Sequence, residues 1–422
     1  MRMNSTSTTL AVRLLSNLSE IDRHAWDSCA NPGWARAGQE AVVSEGQSTS
    51  CFKEMRAYNP FISWDFLEAL EKSGTVGNQT GWTPRHAILV DSSDPESASR
   101  PSAVMPCYVK SHSQGEYVFD WGWAEGYERA GGRYYPKLQV SVPFTPVTGP
   151  RLLTPPGEGE KERKQLLAAG LVEMTRRLGA SSAHVTFLPE EDAALLGELG
   201  FLRRTDQQFH WTDEDYQTFD GFLAALASRK RKAIRRERET ALEHGITIDW
   251  LTGSDLTESA WDSFFSFYMD TGSRKWGRPY QNRRFFSLLS ERMADKVLLI
   301  MAKRNGHHIA GALNLIGSDT LFGRYWGAVE EHPCLHFEVC YYQAIEFALA
   351  NKLSRVEAGA QGAHKLARGY MPTTTHSAHY IADPGFRRAV AHYLESERRE
   401  VAYQGEALAE HAPFRHTEAP ID

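Results

Sequence analysis

Apolar residues recur along this chain with two periods, one helical and one strand-like. Phe66, Leu67 and Leu70 repeat at i, i+3, i+4 within residues 63–74, and Gly74 supplies a stop, so a short helix is predicted there. The same reading predicts helices over 21–29 (capped by Ser19), 164–178, 190–199, 257–271, 283–294 and 337–351. Residues 219–244 read as one long helix, with Phe219, Phe222, Leu223 and Leu226 as its apolar face and Gly245 as its end. Pro384 opens a final helix through the 390s, and the chain past Gly405 reads as a loose tail. Strands are predicted over 9–15, 86–90, 103–109, 183–188, 246–251, 355–358 and 376–381. Three more, 297–302, 309–316 and 321–326, form a meander. The strand after helix 337–351 should return parallel to the meander's last strand through a crossover.

Polar stretches separate these elements. Residues 33–50 and 91–102 read as solvated loops. Residues 110–153 are dense in Trp, Tyr, Gly and Pro around His112, Glu116, Asp120 and Glu125, the composition of a functional loop or of an aromatic core with polar handles.

The two halves repeat this order. Gly200-Phe-Leu-Arg-Arg-Thr205 leads to His210-Trp211, and Gly369-Tyr-Met-Pro-Thr-Thr374 leads to His379-Tyr380. Both follow G-[FY]-x3-T-x4-H-[WY] at an offset of 169 residues. That period is too long for a solenoid and implies two copies of one domain, over 9–211 and 212–404, with 405–422 as the tail. Trp121-Gly122 and Trp326-Gly327 are read as equivalent strand ends. The Tyr-Tyr pairs at 134 and 341 fall out of register and are set aside.

Composition narrows the class. A chain 41% hydrophobic and 24% charged is globular, and no apolar run approaches the ~20 residues that span a bilayer. Five scattered cysteines without a CxxC pair argue against a disulfide framework and a thiolate zinc site. The N-terminus has no continuous apolar core of a signal peptide, so a cytoplasmic start is expected; its Ser/Thr content with Arg2 and Arg13 also fits an organelle transit peptide. There is no P-loop, GxGxxG or GxSxG. His307-His308 and His376-x2-His379 lack partners at ligand spacing, so no metal is expected.

Charge is concentrated in one place. Residues 229–238, RKRKAIRRER, carry a net +6, which leaves −12 on the rest of a chain whose net charge is −6. At ~100° per residue Arg231, Arg235 and Arg238 share one stripe, and Arg229, Lys232 and Arg236 another. Such a patch, with Arg231, Lys232, Arg235, Arg236 and Arg238 as its candidate anion ligands, suits tRNA, CoA phosphates or an anionic cell-wall precursor, or is a solvated helix face.

Residues 332–372, HPCLHFEVCYYQAIEFALANKLSRVEAGAQGAHKLARGYMP, resemble the C-terminal half of the acyltransferase fold shared by GNAT enzymes and Fem-type aminoacyl transferases. The segments KSHSQGEYVFDWGWAEGYERAGGRYYPKLQV and RYWGAVEEHPCLHFEVCYYQ resemble a bacterial family labelled peptidoglycan biosynthesis/recognition, over roughly residues 20–400. The resemblance implies an α/β fold of tandem duplicated GNAT-like domains. It also implies transfer of an acyl or aminoacyl group from acyl-CoA or aminoacyl-tRNA to an amine, either a small molecule or a cell-wall precursor. By the same resemblance Lys365 would stabilise an oxyanion, and Asp120, Trp121 and Trp123 would help line the acceptor cleft.

The residues themselves add chemistry. Glu338 or His336, at a helix start, could take a proton from an attacking amine, or could merely complement the helix dipole. Gln361, His364 and Arg368 flank Lys365, Glu357 lies on the strand before it, and Arg324-Tyr325-Trp326 ends the meander; these are candidate substrate contacts. A glycine-rich pyrophosphate loop is missing, since 329–336 reads VEEHPCLH. The first half has no counterpart of the GAQGAHK loop and is expected to be structural. Two alternatives are a degenerate acyltransferase fold that recognises cell-wall or other anionic ligands, and an RNA-binding protein that works through residues 229–238.

Overall fold

The computed structural model describes residues 10–34, 56–94, 96–275, 279–359 and 362–415. Most of the polar stretch 33–50, Cys51 and Gln361 lie outside them. The chain forms two compact units, residues 1–205 with 375–398 and residues 206–374 with 399–422. The linear halves expected from the repeat are therefore not the contact units, because each unit takes chain from both. The repeat itself is structural. Gly200 and Gly369 both have φ in the left-handed region, +87° and +88°, where glycine is favoured, and each precedes an eleven-residue strand.

The first unit runs through β1 (Leu10–Leu15), α1 (Arg23–Ala30), α2 (Trp64–Lys72), β2 (Trp82–Pro84), β3 (His86–Asp91), β4 (Ala103–Met105) and β5 (Tyr108–Lys110). It continues with α3 (Trp121–Arg129), β6 (Lys137–Val140), α4 (Glu160–Arg177), β7 (Ser182–Leu188) and α5 (Glu190–Glu198), and β8 (Leu202–Thr212) leads out of it. The single strand expected over 103–109 is two. Pro106, without an N–H, interrupts it, so β4 joins the small sheet β1-β3-β4 and β5 pairs with β2 and β6. Asp22, not Ser19, caps α1, accepting from the amides of His24 and Ala25. Trp121-Gly122 opens helix α3 rather than ending a strand, so its match to Trp326-Gly327 is coincidental.

The second unit holds α6 (Phe219–Ala225), α7 (Ser228–Ala241), β9 (Thr247–Leu251), α8 (Glu258–Lys275) and α9 (Arg283–Met293). The meander follows as β10 (Val297–Arg304), β11 (His307–Ile316) and β12 (Thr320–Ala328). Next come α10 (Leu335–Phe337), a π-helical turn (Glu338–Tyr342), α11 (Gln343–Ala350) and β13 (Arg355–Glu357); β14 (Met371–Ile381) passes into the first unit at residue 375, and α12 (Pro384–Ala409), which ends the regular structure, belongs to that unit as far as Arg398. The crossover is as expected, with β13 parallel to β12.

The long helix predicted over 219–244 breaks at Leu226, which is extended and fully buried. The supposed tail causes this. The chain stays helical to Ala409, then Phe414 bridges Leu226 and the carbonyl of Pro413 accepts from the Ala227 amide. Beneath, Trp211, Phe222, Leu298, Ile300, Leu321, Tyr342 and Val356 form one buried core.

Candidate active site

Two strands part in the second unit. On β12, Tyr325 lies opposite Leu313 and Gly323 opposite Asn314, so Arg324 is the extra residue of a bulge. β13 pairs with β12 at three positions only, 320–322. Beyond them β12 runs on to Ala328 paired with β11 alone among the described strands, so its other edge borders an opening. Space is tight at one end of this stretch and admits only glycine at the other. A Cβ on Gly323 would come within 3.2 Å of Asn314 Oδ1, and one on Gly327 within 2.2 Å of the Phe267 backbone in α8.

Polar side chains gather where the strands separate. Arg324 approaches Glu357 at 3.4 Å, both almost fully buried. Glu357 pairs in register with His210 of β8, whose Nε2 lies 3.2 Å from Gln208 Oε1. Lys365 donates from Nζ to the carbonyls of Ala358 (2.6 Å) and Gly359 (2.9 Å) and is 2% exposed. Burial, with the Arg324 charge adding, pushes its pKa down to about 8. Its ammonium thus fixes the loop that leaves β13.

The helix facing the opening carries the rest. The five-residue π turn brings the hydroxyls of two consecutive tyrosines to two different partners. Tyr341 Oη lies 3.0 Å from His364 Nε2, and Tyr342 donates to Glu237. Glu237 also accepts twice from Arg368 Nη2, at 2.9 Å each, while Arg368 Nη1 donates to the His364 carbonyl at 2.8 Å. The Arg368 guanidinium stacks 3.4 Å above the Phe337 ring. His336 packs edge-on to Trp326 and Tyr341, its ring centre 6.4 Å from that of His364. His364 is exposed, and burial of its ring together with the charges of Arg368 and Lys365 pushes its pKa down.

Glu338 does not meet the expectation of a proton acceptor. Its carboxylate is fully buried and accepts from Arg238 Nε and Nη2 and from Gln343 Nε2, which leaves it no path to an amine. Arg238 correspondingly turns away from solvent onto Glu338 and Glu346, so it is no part of a surface anion site. Lys232, Arg235 and Arg236 are exposed and Arg231 half-buried, with Arg235 paired to Asp220. Tyr325 packs on Tyr268, its hydroxyl 3.4 Å from Gln281 Nε2.

Asp120, Trp121 and Trp123 belong to the first unit. Asp120 is buried and accepts from Tyr134 and Lys137, both at 2.6 Å. Trp121 is 56% exposed, and its Nε1 donates to the Ser113 carbonyl. Trp123 packs edge-on to His379, whose Nδ1 lies 2.7 Å from His184 Nδ1. Burial pushes His184 down to about 3 and His379 well below its ordinary value. Both imidazoles are therefore neutral in the folded chain, while the unfolded chain takes up protons near pH 6.5. Stability should be fully present above pH 6.5 and fall as pH drops below it, by about 1.4 kcal/mol per pH unit for each histidine. Urea unfolding between pH 7 and 5 checks this, and a His184→Asn/His379→Asn protein should lose the share of the slope these two supply while keeping that of the other buried imidazole, His210.

Sequence reasoning passed over Tyr341 and Tyr342, because only the π turn reveals that adjacent tyrosines serve one site. It also passed over Glu237, hidden as the single acid in a basic run. Cys29, Cys107, Cys334 and Cys340 are free thiols. Among the described residues no three His, Cys, Asp or Glu side chains converge to hold a metal ion, and no helix is long and apolar enough to cross a membrane.

Solved structures of similar architecture include FemX, at 11% identity and a TM-score of 0.48, covering 78% of this chain and 93% of that one. L-PGS from Bacillus licheniformis aligns at 10% identity and a TM-score of 0.48, over 80% and 98%. A tandem GNAT protein from the clavulanic acid biosynthesis pathway aligns at 12% identity and a TM-score of 0.45, over 89% and 99%. The chain's own sheet, with parallel and antiparallel pairs and helices between them, is mixed α/β. None of the curated proteins matches. The family described as peptidoglycan biosynthesis/recognition matches residues 17–416, nearly the whole chain, and the protein is a member of that FemAB-like family.

Proposed function

We propose that the second unit transfers an acyl or aminoacyl group from a CoA thioester or an aminoacyl-tRNA to an amine, with a cell-wall precursor as the acceptor class. The observation that carries this reading is the opening between β12 and β13. An extended donor can lie along the edge of β12 beyond Phe322, which no described strand covers, where amide N–H groups hold its carbonyl. The amine nitrogen attacks that carbonyl carbon, and the C–S or C–O bond to the donor breaks. His364, neutral and hydrogen-bonded to Tyr341, accepts the amine proton and returns it to the leaving group. Lys365 acts by holding the 358–359 loop and by adding positive potential beside the developing oxyanion. Arg324, Trp326, Glu357 and His336 wall the opening, with Tyr325 behind them. Arg231, Lys232, Arg235 and Arg236 offer an outer anion-binding face for the donor.

Amide hydrogen exchange tests the placement. A non-hydrolysable donor analogue should slow exchange across 323–328 and 358–365. Protection elsewhere only would refute the site.

A second reading, a recognition module without turnover, is favoured by one observation: Glu338 and Lys365, two residues expected to act chemically, are both engaged in internal contacts. Acceptor binding with no product from any donor would support it.

A further inference from the structure

Helix α7 distributes its charges unevenly. Arg238 is held by Glu338 and Glu346, Arg235 by Asp220, and Glu237 by Arg368 and Tyr342. That leaves Arg229, Lys230, Arg231, Lys232 and Arg236 with no acidic partner among the described residues, and of these Arg229 and Lys230 face one cavity. Both line a cavity of about 380 Å³ between α7 and the helical turn 363–368, together with Glu237, Arg368 and an apolar floor of Ala233, Ile234 and Ala367. Arg368 is 7% exposed, and its Nε finds no hydrogen-bond partner among the described residues. Because Arg368 and Glu237 neutralise each other, the cavity wall carries an uncompensated charge of about +2 from Arg229 and Lys230.

We propose that this cavity is a phosphate seat that takes a phosphate ester or pyrophosphate dianion. The charge matches a dianion rather than a single carboxylate. The guanidinium of Arg229 can engage two phosphate oxygens at once, Lys230 supplies a point charge, and Arg368 forms the back wall.

The seat is linked to the reaction centre through one side chain. Arg368 donates to the His364 carbonyl, and its charge helps hold the imidazole neutral. An anion beside Arg368 offsets that charge and makes His364 a stronger base. The seat stands on cavity and charge; its link to turnover rests on the acyl-transfer reading.

Calorimetric titration of the full chain with pyrophosphate tests the seat directly. Pyrophosphate should bind, and R229A/K230A should weaken it about a hundredfold, near tenfold for each lost charge-assisted contact. R176A/R177A, exposed on α4 and outside both the cavity and the basic face of α7, should bind as the parent does. Both pairs are on the surface, and circular dichroism confirms that each folds. Competition then names the source of the phosphate: displacement of pyrophosphate by CoA points to a nucleotide thioester, and displacement by a short RNA hairpin, with strong salt dependence, points to a phosphodiester chain. No binding of millimolar pyrophosphate, or binding indifferent to R229A/K230A, overturns the proposal. Either result leaves the transfer reading standing, since titration does not measure turnover.

Discussion

Replacing Arg238 with leucine should destabilise the second unit by about 3–5 kcal/mol, the cost of leaving a buried carboxylate without its cation. Glu338 is fully buried, and Arg238 supplies two of its N–H donors. Gln343 supplies a third donor but is itself held by Trp250, so it cannot move to compensate. Urea unfolding reads the loss. The double variant Arg238→Leu/Glu338→Leu should recover most of it, because an apolar pair replaces the buried charged one and the carboxylate left without its cation, Glu346, is partly exposed to water. The same pair separates anchor from catalyst. Glu338→Gln keeps a hydrogen-bonding side chain at this position and should leave kcat nearly unchanged, whereas a proton acceptor would lose activity on becoming an amide. A single leucine variant as stable as the parent would contradict the assignment.

His364→Gln should lower kcat by about 10²–10³-fold with little change in KM, the range expected for loss of a positioned proton acceptor. Tyr341→Phe should cost less, since it orients the imidazole without taking the proton. The pH profile supplies a signature that a merely structural histidine would not give. The base must be neutral, and partial burial, with the charges of Arg368 and Lys365 adding, holds its pKa below the ordinary 6.5. Turnover should therefore stay level as pH falls through 6.5 and drop only below it. Arg368→Met removes one of those charges, which makes protonation easier and should move the acidic limb to higher pH.

The elements of the second unit were legible because its strands and helices have clean periods. The meander over β10–β12 and the return of β13 follow directly from apolar spacing and crossover handedness. The break at Leu226 was not legible, since helical spacing runs on through it and its cause lies nearly 190 residues away at Phe414. The contact units were hidden for a related reason. β8 and β14 each begin in one unit and end in the other, which no local pattern reports. Of the site, His364, Arg368, Arg324 and Glu357 could be picked out by position beside Lys365 and the Trp-Gly strand end. Which acid was free and which was sealed could not. Glu338 and Glu237 are both carboxylates on helices, and only packing shows that one lies under Arg238 and the other beside a cavity.

The central claim is acyl transfer at the β12–β13 opening. Its most direct test is mass-spectrometric detection of acylated product when the full chain is given acetyl-CoA or aminoacyl-tRNA with a lysine-bearing peptidoglycan precursor and a panel of small amines. The account predicts product with one of the two donors, and a rate reduced at least about a hundredfold by His364→Gln. No product from either donor, or product formed equally well by the His364 variant, would contradict it.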